Sequence, residues 1–132
     1  MQLVFKAIEA GFVEDDDGIA CLMCGASGTD ADGNGHYLTF QRGIEEEDPD
    51  DDWGVHFEFD DQINGNYECV SRCQISRTRL HVELTSPIDP DGKVTSVTVD
   101  LRKIKSRDCK AMIVGLRRIF RNKKGILRVS TR

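Results

Sequence analysis

Leu80-His81-Val82-Glu83-Leu84-Thr85 alternates apolar and polar side chains without a break. That two-residue period belongs to a strand with one buried and one wet face. Working outward, Val55, Phe57 and Phe59 alternate with His56, Glu58 and Asp60, and Val97, Val99 and Leu101 with Thr98, Asp100 and Arg102. Weaker strand patterns lie at 3–9, 18–23, 37–42, 68–75 and 126–130. Turn chemistry separates them at Asp17-Gly18, Asp32-Gly33-Asn34-Gly35, Asn64-Gly65-Asn66 and Asp89-Pro90-Asp91-Gly92, where Gly, Asn and Asp accept backbone angles that strands do not use. Strands with one wet face suit an antiparallel arrangement, so the expectation is a twisted antiparallel sheet of about six to eight short strands.

One segment has a helical period. Cys109, Met112, Ile113, Leu116, Ile119 and Phe120 recur at three-to-four spacing, which gathers them on one helix face. Ser106 is the expected N-cap and Asp108 suits the positive end of the helix dipole. Arg117, Arg118, Arg121, Lys123 and Lys124 crowd the expected last turns, and Gly125 is placed to close the helix in a left-handed conformation. Gly115 costs such a helix about 1 kcal/mol against Ala, which marks it as a point of close packing. The fold class is therefore α+β, with the C-terminal helix on one face of the sheet. The 132 residues, 39% hydrophobic and 31% charged, fit one domain, residues 1–132.

Charge is divided unevenly along the chain. Residues 1–61 hold 17 of the 23 acidic residues but only two of the 18 Lys and Arg, whereas residues 101–132 hold 12 basic residues and one acid. The net charge of -5 hides this dipole, which points to partner-facing surfaces more than to a catalytic centre. The acidic runs Glu14-Asp15-Asp16-Asp17 and Glu45-Glu46-Glu47-Asp48-Pro49-Asp50-Asp51-Asp52 repel themselves into exposed loops. They either solubilise the surface or recognise a basic partner, since dense carboxylates imitate a phosphate backbone and speed association with a cationic surface. The basic C-terminal segment has only Phe120 among its charges, and nucleic-acid binders interleave aromatics, so no direct nucleic-acid binding is expected. No apolar run reaches the roughly 20 residues that span a bilayer, and no signal-peptide pattern opens the chain. No membrane partner is expected, and the expected location is the cytoplasm. Five cysteines, an odd number in a reducing compartment, argue against a disulfide framework.

Metal readings stay open at this stage. Asp30-Ala31-Asp32-Gly33-Asn34-Gly35 matches the start of a calcium loop, but the twelfth position is Gln41, whose neutral amide cannot replace the bidentate Glu. Cys21 with Cys24, and Cys69 with Cys73, have zinc-like spacing. However, Cys69, Ser71, Cys73 and Ile75 would share one strand face, where a thiol packs as a small hydrophobe. His36, His56 and His81 are scattered and no nucleophile motif orients a Ser or Cys, so no catalytic residue, no metal ligand and no cofactor is assigned.

From His36-Tyr37-Leu38-Thr39-Phe40-Gln41-Arg42 onward the sequence resembles the immunity protein 10 family of bacterial polymorphic-toxin systems. The family's Tyr-Leu-x-apolar-Gln-Arg strand is followed by an acidic loop and by a Gly-Val-aromatic-x-Glu-x-Asp-Asp-Gln segment, here Gly54 to Gln62 with the aromatic at Phe57. Asn64-Gly65-Asn66-Tyr67, the Ser76-Arg77-Thr78-Arg79-Leu80 hairpin and the helical Leu116 to Phe120 continue the likeness. The cysteine pairs lie outside the family pattern, and the loop at 30–35 is longer than is usual in it. The resemblance implies a non-enzymatic cytoplasmic protein that neutralises a cognate toxin by binding it. Acidic loops suit a toxin that acts on nucleic acid, a nuclease for instance, because its active site would be basic. The expected partner-binding residues are Glu45, Glu46, Glu47, Asp50, Asp51, Asp52, Asp60 and Asp61. Trp53 and Tyr67 are added as aromatic anchors, with core packing the alternative for Trp53. The rival reading is a calcium- or zinc-binding regulatory domain.

Overall fold

The computed structural model describes residues 1–15, 21–43, 54–123 and 125–130. Among the described residues nine strands form one sheet: β1 (Gln2–Asp15), β2 (Cys21–Thr29), β3 (Gly35–Gly43), β4 (His56–Phe59), β5 (Asp61–Tyr67), β6 (Val70–Ile75), β7 (Arg79–Leu84), β8 (Ser96–Asp100) and β9 (Leu127–Val129). The one helix among the described residues, α1, is Ser106–Ile119. The α+β reading holds, but the strand count exceeds six to eight. The unexpected strand is β5, because Asn64-Gly65-Asn66 sits inside it: Gly65 and Asn66 pair with Glu58 and Phe57 of β4, and the register shifts just before them.

Spatial order along the sheet is β5-β4-β3-β2-β1-β8-β7-β6-β9. Two antiparallel meanders, β1 to β5 and β6 to β8, are joined edge to edge by β1 and β8, which run parallel. β9 adds to β6 in parallel after the chain has crossed through α1. The sheet is thus mixed, not purely antiparallel. Local alternation cannot reveal this, because parallel pairs join segments far apart in sequence. We refer to the two halves as the first wing (β1 to β5) and the second wing (β6 to β9).

One side of the sheet faces the core. Phe5, Leu22, Leu38, Phe40 and Phe57 from the first wing meet Ile75, Leu80, Val82, Val97 and Val99 from the second, all buried, and Met112, Leu116 and Ile119 of α1 fill the space between. Cys24 Sγ of β2 lies 3.8 Å from the Met112 carbonyl oxygen, and Cys109 Sγ, one turn earlier in the helix, lies 3.7 Å from that of Ser76, which directly follows β6. Flat strands about 4.8 Å apart would hold β2 and β6 roughly 19 Å from each other, so the sheet curls around the helix.

Bulges in β1 and β6 set which of their side chains turn inward. In β1, Ala7 pairs with Gly28 and Glu9 with Ser27, leaving Ile8 as an extra residue. An inserted residue reverses the in–out parity of the strand beyond it. Phe5 and Ala7 point in before the bulge, Ala10 and Phe12 after it, and Ile8 stands 62% exposed. Only glycine fits opposite, since a Cβ on Gly28 would lie 1.8 Å from the Lys6 carbonyl oxygen. In β6, a shift between Val70 and Arg72 turns Ser71 out to solvent while Cys73 and Ile75 stay buried. Ser71 therefore does not share their face.

The helix keeps its expected apolar face, with Cys109, Met112, Leu116, Ile119 and Phe120 buried. Its ends differ from expectation. Lys105 occupies the N-cap without a side-chain cap and Ser106 is the first helical residue. The C-cap is Phe120, so Arg121 and Lys123 lie past the end of the helix. Gly125 does have a left-handed φ of +81°, five residues too late to end the helix, and Lys124 lies outside the described residues. The C-terminus is completed from the sheet: buried Arg42 of β3 donates Nη1 to the Ile119 carbonyl at 2.8 Å and Nη2 to Asn122 Oδ1 at 2.8 Å, setting a cation at the negative end of the helix dipole.

Candidate partner-binding face

Because α1 covers one side of the sheet, the other side is open, and its register can be traced strand by strand. Across the first wing, Val13 is opposite Met23, Met23 opposite Gln41, Gln41 opposite His56 and His56 opposite Tyr67. The next ladder is Gly11, Gly25, Thr39, Glu58 and Gly65, and the one after it is Glu9, Ser27 and Tyr37. A row with glycine at three of five positions between two rows of larger side chains makes a furrow. Its β1 to β3 part is a shallow cavity of ≈ 340 Å³. Val13 (59% exposed), Met23 (40%) and Tyr67 (48%) stand open beside it.

Polar groups along this face are held in place. The Tyr37 hydroxyl donates to Glu58 Oε2 at 2.6 Å. That bond, with burial and the carboxylates nearby, pushes the Tyr37 pKa up to about 12, so the phenol stays neutral. The His56 ring meets Tyr67 edge-on at 4.9 Å. Its Nδ1 lies 4.0 Å from Glu58 Oε1, too far for a hydrogen bond. Nδ1 of His56 and Oγ1 of Thr39 are buried without a hydrogen-bond partner.

The turns at one end are tied by a clamp. His36 at the start of β3 places Nε2 2.8 Å from Asp30 Oδ2 and Nδ1 2.7 Å from Asp60 Oδ2. Burial opposes charge on the ring, but the bonds to Asp30 and then Asp60 outweigh it and raise the His36 pKa above the ordinary imidazole value. The hydrogen bond from His36, together with those from Asn34 and Asp32, lowers the Asp30 carboxyl to about 2. With both ring nitrogens donating to carboxylates, His36 is an imidazolium that links the β2–β3 turn to the β4–β5 turn.

This geometry decides several expectations. Asp30 is consumed by its own turn, where Oδ1 accepts the backbone N–H of Asp32 and Asn34, so the calcium-like string is a hairpin turn. Cys21 and Cys24 differ in exposure on β2, the former half-buried and the latter buried. Burial raises the pKa of Cys24 to about 12 and of Cys69 to about 11 and that of Cys73 further. A thiol must lose its proton to hold zinc. Among the described residues no three His, Cys, Asp or Glu side chains group as metal ligands, and the metal-binding alternative finds no support.

Of the expected partner-binding residues, Glu45, Glu46, Glu47, Asp50, Asp51, Asp52 and Trp53 lie outside the described residues. Asp60 has a left-handed φ of 63° and its carboxylate is engaged within the chain, by His36 and by the Tyr37 N–H. Asp61 accepts the Ile63 N–H at 3.2 Å. Asp60 and Asp61 stand at one end of β4 and β5, and Tyr67 at the other, where the described chain leaves at Gly43 and resumes at Gly54. Glu9, Met23, Tyr37, Thr39, His56 and Glu58 join Tyr67 on the open face, and none of them carries a sequence signal for that role. Only register unites them, and no local motif encodes register between distant strands.

The sequence pattern of the immunity protein 10 family matches residues 6–103. The chain belongs to the immunity protein 10 family. The matched region starts well before Tyr37, contains β2 to β8 and most of β1, and so includes the whole first-wing face. It ends before α1, leaving the helix likeness at 116–120 outside it. Comparison with curated proteins and with solved structures gives no match. No described helix is long and apolar enough to cross a membrane.

Proposed function

We propose that this immunity protein 10 family member is a non-enzymatic binder that neutralises a cognate protein toxin in the cytoplasm, presenting its acidic first wing to a basic surface of that toxin. The observation that carries this reading is the spatial separation of charge. Glu9, Asp30, Asp32, Glu58, Asp60 and Asp61 lie on the first wing or its turns, and the sequence adds Glu45, Glu46, Glu47, Asp50, Asp51 and Asp52 between β3 and β4. A toxin that handles nucleic acid would offer the complementary basic active site. The same charge disfavours direct binding of nucleic acid to this face.

The test is association with the cognate toxin, defined as the one whose toxicity co-expression of this chain relieves. Reversing Glu45, Glu46, Glu47, Asp50, Asp51 and Asp52 to Lys should slow association at least about tenfold at low salt and flatten its salt dependence, because exposed charges act mainly on encounter rate. Thermal melting should stay native-like. Association kinetics unchanged at low ionic strength would remove the acidic loop from the recognition surface.

A further inference from the structure

We infer that the furrow on the open face of the first wing is the seat of a cationic side chain, lysine or arginine, projected by the toxin, with Glu58 at the β4 end as the counter-charge of its head group and Glu9 adding negative potential at the β1 end. This rests on the binding role proposed above and names the surface and the chemistry of its occupant. Three independent features converge on it.

First, the floor is built for insertion. Gly11 and Gly25 face each other across β1 and β2, and a Cβ on Gly11 would meet nothing within 4 Å. Val13 and Met23, on the wall opposite Ser27, present apolar contact for the aliphatic stem that lysine and arginine both carry. Second, the ends are acidic. Glu9 stands in the row beside Gly11, and Glu58 lies in the floor row beyond Thr39. Glu58 Oε2 accepts the Tyr37 hydroxyl, which orients the carboxylate. Third, Thr39 Oγ1 and His56 Nδ1 flank Glu58 as buried polar atoms without partners. Thr39 Oγ1 can accept a hydrogen bond from an incoming N–H, as can His56 Nδ1 when that nitrogen carries no proton. An anion has no comparable welcome between two carboxylates, and a purely apolar side chain would leave the orphaned acceptors buried.

The experiment compares dissociation of the toxin that co-expression of this chain neutralises from the wild type and four variants. Met23→Lys and Met23→Glu place opposite charges at one exposed position on the furrow wall, where neither perturbs the core. Gly11→Leu fills the furrow. Arg79→Gln/Arg128→Gln alters the second wing as a control. The lysine variant and Gly11→Leu should each release the toxin about tenfold faster or more, as loss of a seated charge acts on the off-rate. The glutamate variant should release it no faster than the wild type, and the control should stay within about twofold. Melting curves establish that each variant is folded. Equal effects of Met23→Lys and Met23→Glu would overturn the cationic occupant. A folded Gly11→Leu with wild-type dissociation, or with Met23→Lys also unaffected should Gly11→Leu not fold, would overturn the furrow as the seat. Failure of the wild type to bind the toxin would instead remove the binding role itself, a separate outcome.

Discussion

Replacing a mid-helix glycine by alanine ordinarily stabilises a helix by about 1 kcal/mol. At Gly115 the expected sign is reversed. A Cβ there would lie 2.3 Å from Phe12 Cδ1, 2.6 Å from Cγ and 3.0 Å from Cβ, whereas carbon atoms pack at about 3.5–4.0 Å. The ring would have to retreat by roughly 1 Å to restore that spacing, and an anchored cation stands over it. The Arg118 guanidinium sits 5.8 Å from the ring centroid, and the same guanidinium donates to both Glu14 carboxylate oxygens at 2.8 and 3.0 Å, two residues further along β1. Overpacking of this kind costs about 1–3 kcal/mol. Set against the propensity gain, Gly115→Ala should destabilise the protein by between about 0 and 2 kcal/mol. With Phe12→Ala the obstruction disappears, and adding Gly115→Ala should then stabilise by about 1 kcal/mol. Urea denaturation of the four proteins closes a double-mutant cycle, with a coupling energy of about 1–3 kcal/mol expected for side chains in contact. A Gly115→Ala change that stabilises both backgrounds equally would refute the close packing of α1 on β1.

Leu116→Asp and Phe120→Asp should abolish soluble folded protein, because each sets a carboxylate among buried side chains, whereas exposed Arg117→Glu should be tolerated; native-like thermal melts of both Asp variants would place this helix face outside the core. The His36 clamp should give a pH signature. The raised His36 pKa means its stabilisation is complete below the unfolded imidazole value of about 6.5 and fades as pH rises through the folded value. The lowered Asp30 pKa, about 2, means that its share is complete above the unfolded carboxylate value of about 3.9 and fades as pH falls toward the folded one. The clamp should therefore contribute most between about pH 4 and 6.5, and a His36→Gln variant should lose the fade on the alkaline side while keeping the part of the acid-side fade that the Asn34 and Asp32 bonds to Asp30 supply. A His36 imidazole that titrates by NMR below its ordinary value would contradict the assignment.

The range of each interaction decides whether it is legible in the sequence. Alternation at 80–85 and 97–101 and the three-to-four spacing at 109–120 report burial within a single element, so those strands and the helix face can be read directly. Nothing local marks β1 and β8 as neighbours. β5 escapes such a reading because its Asn-Gly-Asn centre satisfies a turn rule as well as it does an edge strand. The same limit governs the binding face. Tyr67, Asp60 and Asp61 stand out as single residues of suggestive chemistry, yet the clamp that engages Asp60 needs Asp30 and His36 from another turn.

The Ile8 bulge shows how much of the face hangs on one residue. If Ile8 took a regular ladder position instead of bulging, the two-residue period running from Phe5 and Ala7 would send Glu9, Gly11 and Val13 inward and present Ala10, Phe12 and Glu14 to solvent. With it, Phe12 turns in against Gly115 and the helix, and Gly11 turns out to pair with Gly25 on the furrow floor. Core packing and the partner-facing furrow are thus consequences of the same register shift. The requirement for glycine at position 28, opposite the bulge, is a structural condition for both.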